Sequence, residues 1–164
     1  MRKVNLDPIW EHHPLRVTEL MIGDWINTPN GELKIRAIKQ NGTVCCGMST
    51  SPSEWQEFTE YEISSIALHY DILINNGFVD RSNDPIKALC ELDDNDNNLK
   101  VIMDDQSFGK DCSWQCTVFS TGDPDNMIPI IKLSGISLVH ELQHILHLAG
   151  VTVRSNKSDS FWAE

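Results

Sequence analysis

Two periods divide the chain. In the first third the period is two: Leu33, Ile35 and Ala37 alternate with Lys34 and Arg36, and Ile38 closes the run, the pattern of a half-buried strand. Turns bracket it at Pro29-Asn30-Gly31 and Gln40-Asn41-Gly42, and Asn-Gly is a strong hairpin signal. The pattern predicts a strand before the first turn, over Leu20–Ile26, with Gly23 allowing a bulge. It predicts another after the second turn, over Thr43–Met48. Residues 49–56 then read as a loop, Tyr61–Ile66 as a returning fourth strand, and Leu68–Asn76 as a short helix stopped at Gly77. Short strands on tight turns suggest a small SH3-like barrel or meander.

The period of two returns after a polar stretch at 80–85. Ala88–Leu92 and Leu99–Met103 are expected as strands around an acidic turn, Trp114–Phe119 as a third and Met127–Leu133 as a fourth. Pro129 assigns the fourth to a sheet edge or a bulge, because proline cannot donate to a ladder. A period of 3.6 then takes over. Leu138, Val139, Leu142, Ile145, Leu146 and Ala149 fall on one helical face, while His140, Gln143, His144 and His147 fall opposite. Ser137 or Ser134 is a candidate cap for this 137–149 helix, and Gly150 suits its left-handed stop. The expected whole is α+β: an SH3-like barrel or meander, a short connecting helix, and a second antiparallel sheet carrying one C-terminal packing helix. The expected divisions are an irregular arm at 1–17, the barrel-like unit with its helix at 18–79, the sheet and long helix at 80–154, and a flexible tail at 155–164.

Charge narrows the classes of partner. The 164 residues carry 24 acids against 13 bases, a net charge of −11. That opposes non-specific binding to nucleic acid or anionic membranes, which requires positive charge. The start, Met1 to Pro8, lacks the apolar core of a signal peptide, and no apolar run is long enough to span a bilayer. Five cysteines without a C-x-x-C pair suggest reduced thiols and a cytoplasmic protein. Cys112 and Cys116, spaced C-x-x-x-C, read as small buried apolar residues. Asp94-Asn95-Asp96-Asn97-Asn98 has the opening of a calcium-binding loop, but Leu99 replaces the required glycine and Asp105 the bidentate glutamate, so it reads as a hairpin turn.

The chemistry that invites most attention lies on the long helix. His140-Glu141-Leu142-Gln143-His144 spells H-E-x-x-H, in which two imidazoles one turn apart share zinc and the glutamate acts as general base. His147 does not complete the set, since it lies about 10.5 Å along the axis from His140. A third ligand must come from elsewhere: Asp159 or Glu164 downstream, or His12, His13 or His69 upstream, none at a recognisable spacing. No glycine-rich phosphate loop and no G-x-S-x-G elbow occurs. Arg16, Lys34, Arg36 and Lys39 are the residues a nucleic-acid-binding barrel would have to gather into one patch.

Several landmarks in order resemble a family of small uncharacterised proteins from Bacteroides-group bacteria, their phages and mobile elements. Leu20-Met21-Ile22-Gly23-Asp24-Trp25-Ile26 resembles that family's apolar-Ile-Gly-Asn-aromatic-Val opener. Ile63-Ser64-Ser65-Ile66-Ala67-Leu68, with the run to Asn76-Gly77-Phe78, resembles its middle segment. Val139-His140-Glu141-Leu142-Gln143-His144 resembles its C-terminal Val-His-Gln/Glu-Leu-Gln. The resemblance spans Leu20 to Gly150, departing where Leu68-His69 stands for Thr-Pro and in a longer polar arm. It implies no activity. It also implies that glutamine can replace Glu141 and a residue other than His can replace His144, so that zinc is not what maintains the segment. The expected function is therefore a non-enzymatic binding or accessory protein without catalytic residues, cofactor or identified partner. The alternatives are a zinc peptidase using His140, His144 and Glu141, and a nucleic-acid-binding barrel.

Overall fold

A computed structural model describes residues 17–84, 87–106, 113–123 and 125–151. The arm with Trp10, His12, His13 and Arg16, the thiol of Cys112, and Asp159 and Glu164 of the tail lie outside the described residues. Among the described residues the fold is α+β, with two antiparallel sheets and two α-helices. The chain divides into two compact units between Ile66 and Ala67, so the short helix belongs to the second unit.

The first unit is a meander of β1 (Trp25–Thr28), β2 (Gly31–Ile38), β3 (Val44–Cys46) and β4 (Gln56–Phe58), in that spatial order. Both expected turns form. Gly31 and Gly42 have φ of +103° and +90°, which a residue with a Cβ adopts only with strain. The Asn41 side chain accepts the Thr43 N–H at 3.0 Å. Ile26, Leu33, Ile35, Val44, Cys46 and Phe58 build the core with Leu20 and Ile63. The register slips between Ile35 and Ala37, leaving Arg36 as an extra residue opposite β3.

Two expected elements are corrected. The strand predicted over Leu20–Ile26 begins only at Trp25. The Asp24 carboxylate accepts the Met21 N–H at 2.8 Å, tying residues 21–24 into a turn that ends in Gly23, at φ +100°, and Asp24. The fourth strand is Gln56–Phe58, within and just beyond the predicted loop, and not Tyr61–Ile66. Glu57 pairs opposite Cys45 and Phe58 opposite Val44, which buries Phe58 in the core. Of the predicted strand, Ser64 alone bridges to Asn27, through two backbone bonds of 2.9 and 3.0 Å. The four-stranded sheet therefore stays open among the described residues.

The second unit begins at Ala67; the Leu68 N–H donates to the Ser137 carbonyl, and α1 (Tyr70–Asn75) follows. A five-stranded sheet follows in sequence order: β5 (Val79–Asp80), β6 (Leu89–Asp94), β7 (Leu99–Asp105), β8 (Trp114–Ser120) and β9 (Ile128–Ile136). β7 alternates buried and half-buried residues along its whole length. Its inward row pairs Met103 with Cys90 on one side and Cys116 on the other, and Val101 with Leu92 and Val118. All six are buried. The unit closes with α2 (Val139–Ala149), whose Val139, Leu142, Ile145 and Leu146 are buried. Removing each such side chain from water stabilises the fold by about 1.5–3 kcal/mol.

Candidate functional site

α2 carries the H-E-x-x-H residues in its first two turns, and its ends explain where they point. Neither predicted serine caps it. Ser134 lies within β9, and the capping position is Leu138, which has no side-chain acceptor. Glu141 makes the other half of a capping box, from the third helical position back to the entrance. Its Oε1 accepts the Leu138 N–H at 3.0 Å, the Ser137 N–H at 3.2 Å and the Ser137 hydroxyl at 3.4 Å. A carboxylate there also faces the positive end of the helix dipole. At the far end Gly150, at φ +79°, closes the helix as predicted. Its N–H donates to the His147 carbonyl and that of Val151 to the Leu146 carbonyl.

The histidines do not form the uniformly exposed face that the helical wheel predicts. His147 is exposed and His144 half-buried, but His140 is only 5 % exposed. The wheel fixes an angle about the axis and not what else lies at that angle. Here the chain entering α1 runs beside the helix entrance, with Ala67 bridged to Leu138. The His140 and His144 rings meet edge to face, centroids 5.6 Å apart and planes at 65°. Of the third-ligand candidates, His69 is described, and it sits exposed at the start of α1. Among the described residues no group of three or more His, Cys, Asp and Glu is placed to hold a metal ion.

Lys34, Arg36 and Lys39, the described members of the expected basic patch, are each engaged with a different partner. Lys34 is buried with its ammonium 5.9 Å from the centre of the Trp25 ring. The bulge turns Arg36 onto the Gly47 and Met48 carbonyls, at 3.0 and 2.7 Å. Lys39 pairs with Glu57. The acidic turn is spent on itself. Asp94 is buried, its carboxylate accepts the Asn97 amide at 2.8 Å, and Asn98 takes the left-handed conformation at φ +53°.

The thiols with perturbed ionisation are poor nucleophiles. Burial pushes Cys46, Cys90 and Cys116 up to about 12; the charge of Cys45 adds to this at Cys46, and those of Asp80 and Asp105 add to it at Cys90. At the end of the second sheet, Tyr70 donates to Asp80 at 2.9 Å, which raises the phenol above its ordinary value. Two bonds from Ser82 hold the Asp80 carboxyl below the usual range. These contacts fasten α1 to β5 at an exposed surface. No helix is long and apolar enough to cross a membrane among the described residues. No protein-family model matches the chain, and neither a curated protein nor a solved structure matches it.

Proposed function

We propose that this chain is a non-enzymatic binding or accessory protein of the cytoplasm. The resemblance to small proteins of Bacteroides-group bacteria, their phages and mobile elements motivates that reading. The observation that carries it is the placement of Glu141. A general base must aim a lone pair at a water held on the metal. The Glu141 Oε1 receives three donors from the entrance of its own helix, which gives the carboxylate a structural task there. The motif then follows from helix construction: a glutamate at the capping-box position, with histidines on either side of it. Four buried free cysteines support the cytoplasmic part of the proposal. The bridge from Asn27 to Ser64 brings the returning chain to the first strand, which supports an SH3-like description of the first unit.

Zinc peptidase is the second reading, favoured by the proximity of the His140 and His144 rings. Elemental analysis of untagged protein, with His144→Ala beside it, decides between them. Zinc well below stoichiometric in both proteins is the expected result. Stoichiometric zinc that disappears in His144→Ala overturns the proposal.

A further inference from the structure

β9 ends its sheet among the described residues, and its neighbour β8 is on one side only. It is nine residues long and apolar where an edge is usually polar. Met127, Ile128, Ile130 and Leu133 are between 41 % and 56 % exposed. No aspartate or glutamate occurs from Asn126 to His140, and the basic side chain within the strand is Lys132. Immediately before it stands an exposed acidic turn, in which the Asp125 N–H donates to the Asp123 carboxylate at 3.1 Å. The edge is thus apolar in the middle, acidic at its N-terminal approach and basic toward its C-terminal half.

We propose that β9 is a homodimer edge, at which two copies of this chain pair antiparallel about a two-fold axis between Ile128 and Pro129, a register that sets Lys132 of each copy opposite Asp125 of the other. Charge selects a second copy as the occupant. Antiparallel pairing runs the Lys132 half of each strand toward the Asp123–Asp125 turn of the other, and symmetry makes the contact twice. Parallel pairing would set Lys132 against Lys132 and the acidic turns against each other. Elsewhere a chain of net charge −11 repels its own copy; along this edge no carboxylate intervenes. The same strand contains the features that stop the association at two. Pro129 withholds one donor. The register slips twice against β8, between Val118 and Phe119 and between Trp114 and Cys116, and each slip adds a residue to β9. Gly135, at φ +75°, sits in the second slip. A short ladder that uses the outer edge of β9 once in each copy is closed and leaves no further edge of β9 to propagate.

Sedimentation equilibrium on the untagged full chain, over a wide concentration range, tests this. A reversible monomer–dimer equilibrium is expected. Ile130→Glu should raise the dissociation constant by at least about tenfold, since it sets a carboxylate against the apolar Met127 of the other copy on each side of the axis. Lys132→Glu should also weaken the dimer, and adding Asp125→Lys to that variant should recover most of the loss. Circular dichroism on each variant checks the fold. Should Ile130→Glu lose it, the charge exchange alone decides. A monomer at every concentration overturns the proposal. So does a dimer indifferent to the Lys132 exchange, and so does open-ended polymerisation.

Discussion

At Glu141, replacing the carboxylate with an amide and deleting it are different experiments. Glutamine keeps an oxygen that can accept the Leu138 and Ser137 N–H groups; alanine keeps none. The loss of a cap contact costs about 1 kcal/mol, or roughly 3 °C in Tm for a chain of this size. We therefore expect Glu141→Ala to melt lower by about that amount and Glu141→Gln by less than half of it, both read by thermal denaturation. Equal destabilisation by the two would mean that the capping contacts contribute nothing. The motif letters were legible in the sequence; the side chain's task was not. Capping boxes are recognised by serine or threonine at the first position, and Leu138 there removes the signal. The burial of His140 was hidden for another reason. A helical wheel describes one element, and burial depends on what the rest of the fold brings beside it.

Among elements, α2 is closed at its far end by the backbone geometry of Gly150, and Leu68, whose N–H bonds the Ser137 carbonyl just before the helix, is held by one tryptophan. Gly150→Ala introduces a Cβ at φ +79°, where nothing within 4 Å obstructs it, so the cost is conformational alone. About 1–2 kcal/mol is expected, from the left-handed penalty of a residue with a Cβ. A chemical-denaturation midpoint unchanged from the parent would contradict it. The Trp114 indole N–H donates to the Leu68 carbonyl at 2.8 Å in a buried setting. Trp114→Phe keeps a ring but leaves that carbonyl without this donor, at a cost of about 1–3 kcal/mol. The same measurement checks it, with Trp55→Phe, whose half-buried indole donates to Ser49, expected to cost less. Strands with strict alternation and both hairpin glycines were legible from the residue pattern alone, as were the helix stop at Gly150 and the edge position implied by Pro129. The short strands were not. β4 has three residues and β5 two, and in so short a run no period can be distinguished from chance. Their pairing is settled by partners: Phe58 is buried because Val44 stands opposite.

Over the whole chain, the buried thiols give stability a pH dependence on the alkaline side. Cys46, Cys90 and Cys116 hold their protons up to about 12 when folded. An unfolded thiol releases its proton near 8.5. Between those values the unfolded chain binds fewer protons, so stability falls as pH rises. Each thiol contributes a slope of about −1.4 kcal/mol per pH unit, roughly −4 for the three together. Below the unfolded value the contribution is fully present. Denaturation midpoints should therefore be flat with respect to these groups near neutrality and drop steeply from about pH 9. Replacing Cys116 with alanine should make the drop shallower by about a third. The same cysteines are internal clocks. Cys46 belongs to the first unit, while Cys90 and Cys116 flank Met103 in the middle of the second sheet. None of the three thiols has solvent-exposed surface, so an alkylating reagent reaches each only when its own unit opens. Peptide-resolved labelling rates would thus time the opening of each half separately, in one sample and without any mutation.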